Sequence, residues 1–165
     1  GAGMPGGLML QIGILYVDVV EFLLGPVKAV SARLAQLVLP GDNPDVASLL
    51  LEHENGALST LNASYASAAE YYVMNIYGKE ASAHYDVDHG LRFVKRGAQG
   101  ARQVSCAASD PIASELAEFA GAVRGQGEPE MDGEKGTTSL AVVLAGIKSA
   151  REGRTVRVAE LLDAV

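Results

Sequence analysis

Gln11, Leu15, Asp18 and Phe22 are spaced so that one narrow sector of a helix carries all four, at about 100° per residue, with Ile14 and Glu21 on its flank. Polar groups therefore gather on one stripe of an otherwise Leu, Met, Ile and Val surface, and that surface must be covered by protein. A second group lies further along. His84, Asp86 and Asp88 share a strand face at period two and His89 follows at a turn, so a carboxylate–imidazole site for zinc or another divalent ion can be written on paper. The plainer reading is a wet hairpin tip, because no cysteine joins the group and a strand rarely closes a metal site alone. No metal ligand set is expected.

Other chemistries find less support. No Gly-x-Ser-x-Gly occurs to place a nucleophile. Cys106 has no Arg or His beside it in sequence to lower its pKa, and it reads as inert. Asp132-Gly133-Glu134-Lys135-Gly136 lacks the Gly-Lys-Ser/Thr ending of a phosphate loop and reads as the cap of the next helix. Gly1-Ala2-Gly3-Met4-Pro5-Gly6 spells G-x-G-x-x-G, but no strand precedes it and Pro5 sits where the turn should open into a helix. It reads as a leader or cloning remnant, so no cofactor-binding residues are expected in this chain.

The elements that position these residues follow from punctuation and period. Leu8 to Leu24 is one long buried helix, bounded by Gly6-Gly7 and Gly25-Pro26. Its length approaches that of a membrane span, but Gln11, Gly13, Asp18 and Glu21 make that costly, and no membrane association is expected. Val27 to Leu39 reads as a strand and a loop, and Val46 to His53 as a second strand. Glu54-Asn55-Gly56 is a tight hairpin, with both Asn55 and Gly56 expected to tolerate positive φ. Ala57 to Ala66 alternates Leu61, Ala63 and Tyr65 with Thr60, Asn62 and Ser64, which is the period of a strand with one wetter face.

Tyr71 to Tyr77, Ala81 to Val87 and Leu91 to Val94 are three more strands, and Gln103 to Cys106 a weak one. Ile112, Leu116, Phe119 and Val123 mark a helix after Pro111. Leu140, Val143, Leu144 and Ile147 mark another, from about Thr137 to Arg151, that stops at Gly153. A short strand and a helical turn close the chain over Val156 to Val165. This order predicts an α+β fold: a mostly antiparallel β-sheet with helices packed on one face. The other face, carrying Thr60, Asn62, Leu49 and Tyr71, is then solvated or a docking surface.

Composition narrows the function. At 165 residues the chain is read as a single domain, 1–165. A formal charge of −7 opposes a nucleic-acid partner, which would need clustered Lys and Arg. One cysteine makes no internal disulfide and no signal pattern is visible, which points to the cytoplasm. Asn62-Ala63-Ser64 matches a glycosylation sequon that would matter only in a secreted protein.

The run Gly6-Gly7…Gln11-Ile12-Gly13-Ile14-Leu15-Tyr16-Val17-Asp18…Phe22-Leu23-Leu24-Gly25 resembles the first helix of the C-terminal domain in the glucose-fructose oxidoreductase, inositol dehydrogenase and MocA family. That family usually reads Gly-Gly-Gly and then Asp-Ile-Gly-x-His-x-x-Asp before an apolar tail. Asp132-Gly133…Lys148-Ser149-Ala150-Arg151-Glu152-Gly153-Arg154-Thr155-Val156 is similar to the closing helix and Ser-Ala-x-x-Gly-x-x-Val ending of the same family.

The resemblance implies an architecture also similar to the C-terminal half of glyceraldehyde-3-phosphate dehydrogenase-like proteins. It further implies an open sheet face that makes a homo-oligomer, and a parent that oxidises a sugar or polyol with NAD or NADP bound in a separate N-terminal Rossmann domain. The family's Asp and His acid-base positions fall on Gln11 and Leu15, which take no proton at neutral pH, so no catalytic residue is expected here. Gln11, Leu15, Tyr16 and Asp18 are the implied substrate-binding residues. The family's lysine, in a Glu-Lys-Pro motif, belongs to the absent domain, so this chain alone should be inert. The alternative is a non-catalytic ligand-binding or scaffold protein that retains the fold without its acid-base pair.

Overall fold

A computed structural model describes residues 7–163; the opening glycine-rich run 1–6 and the last two residues of the expected terminal turn lie outside it. The chain forms two compact units, Gly1–Ser67 with Glu128–Val165, and Ala68–Gly127. The class is α+β, with every strand pairing antiparallel.

In the first unit the opening helix begins with a π-helical turn, Met9–Gly13, and continues as α1, Ile14–Leu24. Strand β1 (Val27–Ala35) pairs with β2 (Val46–His53), β2 with β3 (Leu58–Ser64), and β1 also with the short β8 (Val156–Arg157), giving the order β3-β2-β1-β8. Helix α3 (Gly133–Glu152) packs over β1 and beside α1, and α4 (Ala159–Leu162) follows β8. The core is the layer between these helices and one sheet face: Leu8, Met9, Val17, Val30, Leu49, Leu51, Val142, Val143 and Val156 are fully buried there.

Alternation along β2 decides which side meets the helices. Ala47, Leu49, Leu51 and His53 point inward, and Ser48, Leu50 and Glu52 point outward. Leu49, expected on the open face, is therefore a core residue paired across from Leu61, and Leu50 takes its place outside, beside Thr60. The open face carries Ser48 and Asn62, whose side chains bond at 2.6 Å. Tyr71, also expected on that face, precedes the first strand of the second unit.

The β2–β3 hairpin closes on Glu54-Asn55-Gly56, with Gly56 N–H donating to the His53 carbonyl at 3.0 Å and His53 N–H to the Ala57 carbonyl at 2.9 Å. Only Gly56 takes positive φ, at 85°, so the expectation that Asn55 would do so as well is corrected. Asn55 works through its side chain instead, accepting from Ala57 N–H at 2.9 Å and donating to the Leu24 carbonyl at 2.7 Å.

Helix α3 starts before its expected Thr137 because Asp132 caps it, accepting from Lys135 N–H at 2.8 Å. Its core face is made of small residues, Ser139, Val142, Val143, Ala145, Gly146 and Ser149, whereas Leu140 and Leu144 are exposed. Gly146 explains the choice. A Cβ there would lie 3.2 Å from the Leu49 side chain, so the helix rides too close to the sheet for a larger residue. The closing motif is a clamp: Ser149 Oγ accepts from Ala32 N–H at 3.0 Å and donates to the Arg154 carbonyl at 2.6 Å. Arg154 in turn pairs with Glu160 at 2.8 Å.

The second unit holds a sheet of order β4-β5-β6-β7, built from β4 (Val73–Tyr77), β5 (Ala81–Asp86), β6 (Gly90–Lys95) and β7 (Arg102–Val104), followed by helix α2 (Pro111–Val123). Asp110 caps α2 by accepting from Ala113 N–H at 3.1 Å. The helical spacing of Ile112, Leu116, Phe119 and Val123 is present, but all four side chains are exposed. The single block of five or six strands expected from sequence is thus two four-stranded sheets, because no strand pairing spans the stretch between Ser64 and Val73.

Candidate functional site

The opening helix presents its polar stripe outward. Gln11 and Leu15 are exposed, Leu15 at 59%, Phe22 is exposed further along, and Tyr16 and Asp18 are half-buried. The opposite side, Met9, Gly13 and Val17, is buried, and Val20 packs against the core. Gln11 sits inside the π-helical turn, where the Ile14 N–H reaches back to the Met9 carbonyl. Such turns are rare in helices and concentrate at functional positions.

Three side chains fix the C-terminal end of α1 and with it the direction of the stripe. Glu21 accepts from Val27 N–H at 3.1 Å and from the Ser139 hydroxyl at 2.9 Å, joining α1 to β1 and α3. His53 donates from Nδ1 to the Gly25 carbonyl at 2.6 Å, which leaves Nε2 to accept from Ser59 Oγ at 2.9 Å. Asn55 holds the Leu24 carbonyl. Glu21, on the flank of the sequence stripe, is therefore a structural tie rather than part of the open surface.

One residue joins the stripe that sequence did not assign to it. Tyr65, just past β3, donates its hydroxyl to Gln11 Oε1 at 3.2 Å. Its period-two position places it on the helix-facing side with Leu61 and Ala63, and all three pack against the core. Its backbone N–H donates to the Asp45 carbonyl at 2.8 Å.

Asp45 is itself buried, and its carboxylate accepts from the Leu37, Val38 and Leu39 amides at 2.8, 2.8 and 2.7 Å. The Leu39 and Val38 amides lead in holding its carboxyl below the usual range, against the upward push of burial. The post-β1 loop, β3's end and the Gln11 amide are thus one connected arrangement.

The histidine and aspartate group of the second unit does not converge on a point. His84 bonds Asn75 Oδ1 through Nδ1 at 2.7 Å and meets the Tyr77 ring edge-on. Asp86 is 5% exposed and accepts from Asp88 N–H at 3.1 Å, His89 N–H at 2.8 Å, His89 Nδ1 at 2.7 Å and Arg92 Nη2 at 2.6 Å. Burial pushes its carboxyl up, but the His89 bonds and the Arg92 charge together hold it below the usual range. Asp86 is therefore the hub of a turn rather than a wet side chain. Among the described residues no group of three or more His, Cys, Asp or Glu is arranged to hold a metal ion, and no helix is long and apolar enough to cross a membrane.

The N-termini of α2 and α3 are poor cradles for a dinucleotide. A pyrophosphate needs a helix N-terminus with free amides reached through a glycine turn. Helices α2 and α3 instead have Asp110 and Asp132 at their N-termini, which put carboxylates where the phosphates would sit.

Comparison with known proteins now places the chain. A structure of a candidate NADPH-dependent oxidoreductase from Desulfitobacterium hafniense DCB-2 superposes with a TM-score of 0.88 at 31% identity, over 97% of this chain and 50% of that one. An oxidoreductase from Agrobacterium radiobacter, solved with NAD+, L-tartaric acid and magnesium, gives 0.80 at 25% identity over 93% of this chain and 50% of its own. The fold matches about half of each of these oxidoreductase chains.

The model of the GFO/IDH/MocA C-terminal domain matches residues 2–84, and the chain belongs to that family. D-apiose dehydrogenase of Paraburkholderia graminis is 31% identical over 92% of this chain and 44% of its own length. The chain thus spans about half the length of the curated relatives it matches.

Proposed function

We propose that the chain is a single C-terminal domain, 1–165, that supplies the substrate-side surface of a cytoplasmic sugar or polyol dehydrogenase. NAD or NADP is then carried by a separate Rossmann domain, and the chain alone is inert. The observation that carries this reading is the outward stripe of Gln11, Leu15, Tyr16 and Asp18, at the positions the family gives to its substrate and acid-base residues, with Tyr65 bonded to Gln11. D-apiose dehydrogenase among the relatives supports a sugar as the substrate class. Hydride transfer needs a positioned nicotinamide and a proton acceptor. On this stripe only Asp18 and Tyr16 are ionisable, since Gln11 and Leu15 stand where the family places its acid-base pair.

The open face of the first sheet, with Ser48, Leu50, Leu58, Thr60 and Asn62, is the proposed surface for a second copy of the chain. A second reading is a non-catalytic ligand-binding or scaffold protein, favoured by the neutral residues at Gln11 and Leu15.

The deciding experiment assays the complete polypeptide that contains this chain for reduction of NAD or NADP on a panel of sugars and polyols that includes D-apiose. Turnover that falls at least tenfold in Asp18→Asn supports the dehydrogenase. Saturable sugar binding with no turnover on any member of the panel overturns it in favour of the second reading.

A further inference from the structure

The first sheet ends differently on its two sides. On one side β8 has only two residues, the Arg157 N–H is taken by the Glu160 carboxylate at 3.0 Å, and Arg154 pairs with the same carboxylate. A short, charged edge of this kind turns away further strands. On the other side β3 runs for seven residues, Leu58–Ser64, with no charge, proline or glycine. It carries none of these protections.

The β2–β3 ladder fixes which backbone groups that edge offers. His53 N–H donates to the Ala57 carbonyl and Tyr65 N–H to the Asp45 carbonyl, so alternation turns the N–H and C=O groups of Ser59, Leu61 and Ala63 toward β2. Leu58, Thr60, Asn62 and Ser64 turn theirs outward. Among the described residues these outward backbone groups have no protein partner.

The edge is also complementary to itself. Two copies of β3 laid antiparallel about a two-fold axis at Leu61 set Thr60 opposite the partner's Asn62 and Leu58 opposite the partner's Ser64, with the reciprocal pairs generated by symmetry. All four outward residues then enter pairs that exchange both N–H···O bonds. On the helix-facing side Leu61 meets the partner's Leu61, and on the open side Thr60 meets the partner's Asn62, a polar pair. A slip of one residue sets outward groups against positions that have none to offer, and a slip of two loses a pair.

We infer that β3 pairs edge to edge with β3 of a second copy of this chain, antiparallel about a two-fold axis at Leu61, and joins two four-stranded sheets into one. The blocked β8 edge stops growth at two copies. This contact lies at the edge of the sheet rather than on its open face, and it does not rest on the substrate-side reading.

The test combines sedimentation with residue-resolved amide exchange on the 165-residue chain, from micromolar to millimolar concentration. The expected result is a monomer–dimer equilibrium in which the Thr60, Asn62 and Ser64 amides exchange at least about tenfold more slowly in the dimer than in the dilute monomer. A mixture of isotope-labelled and unlabelled copies should show a contact between Leu61 and the partner's Leu61. Thr60→Pro removes an outward N–H and leaves the bonds to β2 in place, so it should weaken the dimer at least about tenfold.

A chain that stays monomeric throughout the series overturns the inference. A dimer whose outward amides exchange as fast as those of the monomer overturns it in favour of contact through the open face. Slow exchange at every dilution, or slow exchange without the Leu61 contact, overturns it in favour of an edge covered by another segment or in another register. If Thr60→Pro does not fold, the exchange and labelling results on the unsubstituted chain decide alone. Sugar-dependent turnover by the complete polypeptide tests the substrate-side reading separately.

Discussion

The Tyr65 hydroxyl donates to Gln11 Oε1 at 3.2 Å, across 54 residues of sequence, and so joins the end of β3 to the π-helical turn that opens the chain. Two consequences follow for the helix. Its exposed stripe is held at one end by this bond and at the other by Glu21, His53 and Asn55. Its buried side can then be compared with its exposed side by substitution.

Met9→Ala should cost about 2–5 kcal/mol, because Met9 is fully buried against the core and the change leaves a cavity. Gln11→Ala should cost under about 1 kcal/mol, since it removes one exposed hydrogen bond. Leu24, at the end of a helix expected to be buried throughout, is only half-buried, and Leu24→Ala should fall between the two. Urea melts of the three variants give the ranking. A larger loss for Gln11→Ala than for Met9→Ala would mean that the helix is rotated.

Gly146→Val should destabilise by about 1–3 kcal/mol, because side-chain atoms there must push Leu49 and Val30 out of a close helix–sheet contact. Thermal unfolding measures it. A neutral outcome would show that α3 does not ride as close to β1 and β2 as described.

Asp45 and Asp86 make stability depend on acid. Each has a carboxyl held below its unfolded value of about 3.9, so the stabilisation is fully present above that value and is lost as pH falls through the lower, folded one. Urea midpoints of the wild type should be flat from neutral pH to about pH 5 and then drop. Asp45→Asn should lower the neutral midpoint and flatten the acid drop, because Leu37, Val38 and Leu39 lose a charged acceptor. An Asp45→Asn profile parallel to that of the wild type would separate the pH dependence from this loop.

Much of the architecture was legible because it depends on period and punctuation. Gly25-Pro26 ended the first helix, Asn55-Gly56 turned the β2–β3 hairpin, and Gly153 stopped α3. What failed depended on facts that sequence spacing does not carry. Counting apolar residues favours Leu140 and Leu144 in α3, but the face that meets the sheet is chosen by close approach, which rewards Gly146 and Ser149. Leu49 and Leu50 are adjacent and alike, so only the strand register decides which one is core.

The candidate site divides in the same way. The stripe on the first helix is local and could be read from spacing, whereas its bond to Tyr65 is a long-range contact. The alternation of Leu61, Ala63 and Tyr65 was the one available signal, since it turned Tyr65 toward the helices. The Asp86 hub was missed because a polar residue near a hairpin tip gives no sign in sequence that it is buried.

The central claim is that this chain supplies the substrate side of an oxidoreductase whose nucleotide site lies elsewhere. Calorimetric titration of the 165-residue chain with NAD and with NADP tests it most directly, because helices α2 and α3 present carboxylates where a pyrophosphate would need free amides. The account predicts no saturable binding of either nucleotide at sub-millimolar concentration. Saturable one-to-one binding of either would contradict it.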